Sequence, residues 1–312
     1  MSLSFFLLTD FGTSDPYVAQ MKGVLQTLAP QHAIYDITHS IAPHNIAQAS
    51  FYLDGTIDHL PPYAIVVCVV DPGVGTSRDI LCMTIGEKTI LAPDNGCLSF
   101  PAKRYSDASI FRVTQQKLPL ECTTHSCTFH GRTTFSPLAA DIARYTGQLP
   151  SYANYIVPEP FSQNSTSDCQ LESPDSSPVA QPSFLAPYMK RNGHARTSSI
   201  VTLPETMAAV RGNTIETHVL HIDRFGNVVL ALPAKDWNQR IEHCGELTLT
   251  TQSTHPLKKI SAYQDLHPEQ VGIICGSQGY LELACYMCPA SEYINVTLGD
   301  SIKIYCSVPP EI

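Results

Sequence analysis

The stretch Val66-Val67-Cys68-Val69-Val70-Asp71-Pro72-Gly73-Val74-Gly75-Thr76-Ser77-Arg78 constrains the fold more than any other. Its apolar residues run without alternation, which suits a strand buried on both faces, as in a parallel sheet. The strand must end at Asp71, because Pro72 has no amide donor and the glycines permit a turn. In open α/β sheets ligands bind outside the carboxyl ends of the strands. Asp71 therefore belongs on a functional rim, with Arg78 seven residues later and able to fold back on it.

The rest of the first half fits such a sheet. Ser4–Leu8 reads as a strand ending in Thr9-Asp10-Phe11-Gly12. Asp15-Pro16 opens a helix, with Asp15 as its cap, and Val18, Met21, Leu25 and Leu28 recur at helical spacing. Ala33–Ile37 is a short strand, and Ile46–Asp58 a second helix stopped by Pro61-Pro62. Ile80–Ile85 and Thr89–Ala92 are further strands, the last running into Pro93-Asp94-Asn95-Gly96. Apolar runs thus end three times in an acid followed closely by glycine, at Asp10, Asp71 and Asp94. A later helix begins at Ser136-Pro137 and runs to Gly147. Alternating strands and helices make this half α/β with a largely parallel sheet.

After about Pro158 the composition changes. Residues 162–199 are rich in Ser, Pro, Asn and Gln, the signature of a linker or disordered insertion. From Val210 onward six short strands indicate an antiparallel barrel or sandwich, with Asp223-Arg224-Phe225-Gly226 turning one hairpin. The expected division is 1–160 for the α/β domain, 161–205 for the linker and 206–312 for the β domain. The net charge of −9 weighs against a nucleic-acid partner. The apolar patch Leu3–Leu8 is too short for a membrane span and lacks the features of a signal peptide. A cytoplasmic protein with its 11 cysteines reduced, mostly as small buried groups, is the expectation. The lone Cys285-Tyr286-Met287-Cys288 has no second pair at zinc-ribbon spacing.

The candidates for chemistry are Asp10, Asp71, Arg78, Asp94, Asn95, His130, Arg132, Asp223 and Asn227. There is no P-loop, no HExxH and no GxSxG, and no histidine spacing suggests a metal. Taken singly, Arg78 suits a weak surface pair, His130 a structural histidine and Asp223 a hairpin turn. His39 and His44 read as structural or pocket-lining.

Several segments in order point further. They are Thr9-Asp10-Phe11-Gly12 with Tyr17-Val18 and Met21-Lys22-Gly23; Asp36-Ile37-Thr38-His39; Val70–Thr76 with Arg78; Ala92–Gly96; Phe129-His130-Gly131-Arg132; Ile222–Val229; and Gly276–Glu282. Together they resemble the S-adenosyl-L-methionine hydroxide adenosyltransferases, hydrolase relatives of the fluorinase and chlorinase enzymes. The resemblance implies a Rossmann-like α/β domain, a C-terminal β-barrel and a homotrimer with sites at subunit interfaces. It implies hydrolysis of S-adenosylmethionine, a small-molecule substrate, to adenosine and methionine, with no cofactor and no metal. Asp71, Arg78 and His130 match the set that holds the attacking water, and Asp10 matches a ribose-binding aspartate. Asp223 and Ser277 match positions that hold the methionine amine and carboxylate. Asn227 matches an adenine contact, Phe225 lines the same pocket, and Asn95 is placed with the substrate-binding residues. On this reading Asp71, ionised beside Arg78, is a weak base that orients water, and His130 relays the proton.

Two other readings accompany this one. A halogenase of the same fold is disfavoured because it carries tyrosine and serine where this chain has Asp71 and Gly131; a carboxylate there repels halide. A non-catalytic binder of adenosyl ligands is suggested by departures from the family pattern: Thr133 in place of aspartate, and Cys285, Tyr286 and Met287 where relatives offer asparagine and small residues. Tyr286 is expected to stack on or narrow the adenine pocket.

Overall fold

The computed structural model describes residues 3–113, 129–148, 184–203 and 208–308. The chain divides into two compact units, Met1–Ala49 with His59–Val201, and Ser50–Asp58 with Thr202–Ile312.

The first half runs β1 (Ser4–Thr9), α1 (Tyr17–Leu28), β2 (Ala33–Thr38), α2 (Ile46–Ile57), β3 (Ala64–Val69), β4 (Ile80–Ile85), β5 (Lys88–Pro93), α3 (Ser99–Arg104), β6 (Ser109–Val113), α4 (Ser136–Gln148), α5 (Ala186–Arg191) and β7 (Ala195–Arg196). The sheet order is β2-β1-β3-β5-β4-β6-β7. β2, β1, β3 and β5 are parallel neighbours, while β4 is antiparallel to both β5 and β6, and β7 to β6. Five of the seven strands therefore point one way, as the unalternated β3 requires. All six residues of β3 are buried. Met21 and Leu25 of α1 and Leu138 and Ile142 of α4 share one core with Phe5, Leu7, Val67 and Val69.

Two expectations change here. Asp15 does not cap α1: Pro16 itself occupies the cap position and no side chain bonds the free amides. The stretch 161–205 lies partly outside the described residues, but within 184–203 the chain forms α5 and adds β7 to the sheet edge beside β6. That part is sheet and helix, not linker.

The second unit contains β8 (Ala208–Arg211), β9 (Thr214–Ile222), β10 (Val228–Pro233), α6 (Ala234–His243), β11 (Leu247–Thr250), β12 (Thr254–Lys259), β13 (Val271–Cys275), β14 (Tyr280–Cys285), α7 (Ala290–Tyr293) and β15 (Ser301–Cys306). Pairing of β10 with β9 closes the ring β10-β14-β13-β12-β11-β15-β9 into a seven-stranded barrel, with β8 appended to β9. Closure removes the exposed edges that a sandwich would keep. β12 and β13 are parallel, the one exception among the barrel's neighbours. The sequence reading passed over β12, which is polar and carries Pro256, and α6, whose Trp237 and Ile241 join the barrel core. Ser50–Asp58 group with this unit through an edge contact of Phe51 with Tyr280 and a 3.1 Å hydrogen bond from the Tyr280 hydroxyl to Asp54.

Candidate active site

Parallel pairing sets three strand ends side by side in the first unit. Thr9 lies opposite Val69, and Ile65–Val67 face Thr89–Leu91. The residues that follow, Asp10, Asp71 and the Asp94-Asn95 pair, leave the sheet at a common rim.

Their side chains then diverge. Asp94 is structural: it accepts from the Val201 amide at 2.7 Å and pairs with Arg112 at 3.3 Å. Asn95 donates to the Val70 carbonyl at 2.9 Å and accepts from the Cys97 amide at 3.2 Å. It thereby fastens the backbone just before Asp71. Asp10 accepts from the His44 amide at 2.8 Å through Oδ2, and its Oδ1 accepts no hydrogen bond among the described residues. His39 braces the same loop, with Nδ1 at 2.8 Å from the Thr9 hydroxyl and Nε2 at 3.0 Å from Asp36.

Asp71 and Arg78 meet as their spacing predicts. A turn with Gly75 at φ +81°, tied by the Thr76 hydroxyl to the Gly73 carbonyl at 2.7 Å, brings the chain back. Arg78 Nε donates to both Asp71 oxygens at 2.8 Å, and Nη2 donates to Oδ2 as well. The two side chains are only 3 % and 8 % exposed, so this is a buried pair and not the surface contact that Arg78 alone suggested. Arg78 Nη2 also lies 2.9 Å from His130 Nδ1. Because a guanidinium has donors only, Nδ1 must accept, and the imidazole is neutral with its proton on Nε2. The His130 pKa is lowered accordingly, by burial and then by the Arg78 cation, with Asp71 opposing.

His130 enters this arrangement from the turn before α4. Gly131–Phe135 form a π-turn, in which the Ser136 hydroxyl donates to the Gly131 carbonyl at 2.8 Å. Such wide turns frequently mark functional sites. A Cβ at Gly131 would lie 2.9 Å from the Phe129 ring, 3.0 Å from Met21 Sδ and 3.3 Å from Phe11. Arg132 points elsewhere, donating to Gln20 at 2.9 Å, and the Thr133 hydroxyl donates to the Phe129 carbonyl at 3.0 Å. Beneath the rim the buried Cys97 thiol is held protonated by hydrogen bonding with Cys68, by burial, and by the nearby carboxylates of Asp71 and Asp10.

The second unit carries a cavity of about 640 Å³, within the usual range for small-ligand sites. Asp223, Phe225, Asn227 and Ser277, singled out from sequence, all line it, together with His221, Tyr263, Gly276, Tyr280, Glu282 and the Cys285–Pro289 turn except Tyr286. Tyr286 thus does not wall the cavity; Met287, 88 % exposed at φ +49°, does. Asp223 is closed on itself: Oδ1 accepts from the Phe225 and Asn227 amides at 2.8 and 2.9 Å, and Oδ2 from Asn227 Nδ2 at 3.0 Å. This turn projects Phe225, 79 % exposed, and requires glycine at 226, where a Cβ would collide with Pro289.

Sequence reasoning missed Glu282 and Tyr263. The Tyr263 hydroxyl donates to Glu282 Oε1, and Glu282 is 8 % exposed. The available signal was a single acid inside the apolar strand Tyr-Leu-Glu-Leu-Ala. Among the described residues no lysine or arginine lines the cavity. Among the described residues no group of three metal-ligating side chains occurs, and no helix is long and apolar enough to cross a membrane.

The N-terminal domain of the SAM hydroxide adenosyltransferases matches residues 5–151, and their C-terminal domain matches residues 217–303. The chain belongs to the SAM hydroxide adenosyltransferase family. An (R)-S-adenosyl-L-methionine hydrolase from Salinispora arenicola is 28 % identical over 303 residues, covering 95 % of each chain. A fluorinase from Actinoplanes sp. is 22 % identical over 134 residues, 36 % of this chain and 45 % of its own. Similarity thus runs the full length with the hydrolase and covers about a third of the chain with the fluorinase. A solved structure of an uncharacterized conserved protein from Thermotoga maritima superposes with a TM-score of 0.73 at 27 % identity, covering 97 % of this chain and 100 % of that one. The two matched domains follow the α/β-then-β order of the chain.

Proposed function

We propose that this family member hydrolyses (R)-S-adenosyl-L-methionine to adenosine and L-methionine. The observation that carries the reading is the buried Asp71–Arg78 pair at a strand end with the half-buried His130 hydrogen-bonded to it, in a chain that matches a hydrolase of that name along its length.

A sulfonium is a good leaving group, so the enzyme's task is to hold one oxygen in line behind C5′. The oxygen of water bonds to C5′ as the C5′–S bond breaks. The electron pair of that bond goes to sulfur, giving the neutral thioether of methionine, and one water proton is released. Asp71 accepts a hydrogen bond from the water, and the Nε2–H of His130 donates one to it. His130 is therefore an orienting donor in place of the proton relay expected from sequence, because Arg78 occupies its other nitrogen. The open Oδ1 of Asp10 suits a ribose hydroxyl. The assembly is a homotrimer with sites at subunit interfaces. The reaction proceeds without cofactor or metal.

Incubation in oxygen-labelled water, with chelator present, is expected to place the label on the 5′-hydroxyl of adenosine and to consume the (R) sulfonium epimer faster than the (S). Methylthioadenosine as product, or a 5′-halo nucleoside formed in chloride or fluoride, overturns the assignment.

A further inference from the structure

One wall of the second unit's cavity carries a pair of thiols that the proposed reaction does not use. Cys285 is the last residue of β14, opposite Val271 of β13. Tyr286 and Met287 follow, and Met287 at φ +49° bends the chain back, so that the Cys288 thiol forms a hydrogen bond with that of Cys285. Both residues line the cavity, Cys285 half-buried and Cys288 exposed. Their turn is tied to a second one. Pro289 lies on Gly226, where a Cβ would come within 2.4 Å of it, and the Ser291 amide donates to the Gly226 carbonyl at 2.9 Å. Gly226 belongs to the turn 223–227, which presents Phe225 and Asn227 to the cavity. The other described thiols are placed differently. Cys68, Cys82, Cys97, Cys244 and Cys306 are buried; Cys244 and Cys306 meet at 2.7 Å in the barrel core, out of reach of an oxidant in solution. Cys275 is exposed but stands opposite Leu281, four residues along β14 from Cys285.

We infer that Cys285 and Cys288 are a redox-modification site: a small-molecule disulfide converts them to an intrachain disulfide that lowers the cavity's affinity for its ligand, and small thiols reverse it. Cys288, the exposed thiol, attacks one sulfur of the small disulfide as its thiolate and releases the first small thiol, leaving a mixed disulfide. Cys285 then attacks the Cys288 sulfur and releases the second. Two protein thiols are oxidised, the small disulfide is reduced to two thiols, and those thiols carry away the two protons. Burial, then the charge and hydrogen bond of Cys288, push the Cys285 pKa up to about 12. The mixed disulfide at Cys288 removes the last two of these causes, so Cys285 ionises more readily once it has a sulfur to attack. Bonding brings the sulfurs to about 2 Å, closer than any hydrogen bond between thiols, and draws Cys288 and Pro289 towards the end of β14. Because Pro289 rests on Gly226, the movement reaches the turn 223–227. The effect on ligand rests on the adenosyl reading above, since the resemblance ties Phe225 and Asn227 to adenine.

The test uses the full chain, reduced and then equilibrated with glutathione disulfide. Unfolding in N-ethylmaleimide followed by peptide mass spectrometry is expected to show Cys285 and Cys288 unlabelled and joined to each other, and dithiothreitol should return both to labelling. Calorimetry with S-adenosyl-L-homocysteine, an inert thioether, should show binding about fivefold or more weaker in the oxidised protein and recovered on reduction. In Cys285→Ser/Cys288→Ser the oxidant should change the affinity by less than about twofold. A stable glutathione adduct in place of the bridge, a bridge from either residue to another cysteine, an affinity that the bridge leaves unmoved, or an equal response in the double variant overturns the assignment. Should the double variant fail to fold, Cys288→Ser, which loses only the exposed thiol, takes its place. Wild type that binds the ligand in neither state overturns the adenosyl reading, and the mapping alone then decides the bridge.

Discussion

In the first unit Asp71, Arg78 and His130 complete one another; in the second, Asp223 completes itself and Glu282 has one oxygen that accepts no hydrogen bond among the described residues. The first arrangement is a closed circuit. A buried carboxylate–guanidinium pair holds a half-buried neutral imidazole by one further hydrogen bond, so their geometry exists before any substrate arrives, as orientation of a single oxygen requires. The second is unfinished: two carboxylates share the cavity, and burial together with the Asp223 carboxylate disfavours the ionised form of Glu282. The two groups thus have opposite electrostatics: one pairs its charges, the other sets like charges side by side.

Mutations should separate the two, and the largest effect lies in the circuit. Arg78→Ala leaves Asp71 buried and unpaired, a loss of about 3–5 kcal/mol in chemical denaturation. Turnover should fall about a hundredfold or more in the same protein. Arg78→Lys keeps the charge but not the fork that reaches Asp71 and His130 together, so most of the activity loss should remain.

Acid should open the circuit next. His130 accepts from Arg78 only when neutral, and burial and the Arg78 cation hold its pKa below 6.5. The folded-state pKa is depressed, so its contribution is present at and above the unfolded value of about 6.5 and is lost as pH falls through the lowered one. Turnover and melting temperature should both follow that window. In His130→Asn, whose amide oxygen can replace Nδ1 and does not titrate, the acid limb should flatten; an unchanged limb assigns it to another group.

Gly131→Ser probes whether the circuit's frame is a packing device. Its Cβ meets Phe129, Met21 and Phe11, so a loss of about 1–3 kcal/mol in thermal or urea unfolding is expected. A neutral result would mean that the aromatic cluster yields easily. The smallest and most telling effect belongs to Glu282→Gln. The raised pKa of Glu282 means that its ionised form is disfavoured in the fold: the stability it contributes is present below its unfolded pKa and disappears as pH rises through the folded one. At neutral pH the neutral amide should therefore melt at the same temperature or slightly higher. A clear drop in melting temperature would make Glu282 part of the structural frame and erase the contrast with Arg78.

The legibility of the two units differs for the same reason. Unalternated β3, the helical spacing of α1 and the acid-glycine strand ends made the parallel sheet and its rim readable, because burial on both faces and strand termination are local properties of the chain. The seven-residue spacing of Asp71 and Arg78 was readable too. In the barrel, individual strands were visible, whereas closure depends on the pairing of β9 with β10 and on a polar β12 whose only support is its neighbours.

By itself the sequence determined the α/β-then-β order, the rim carboxylates and the motifs that place the chain in its family. Tertiary structure alone decided which polar side chains are engaged: Asp94 and Asn95 hold loops, Asp71 is locked to Arg78, and Glu282, in the second unit, has one oxygen that accepts no hydrogen bond among the described residues. Arg78 likewise fixed the tautomer of His130, 52 residues away. The reason is that periodicity and turn chemistry are written in neighbouring residues. Hydrogen-bond satisfaction and desolvation depend on which distant groups arrive at the same few ångströms.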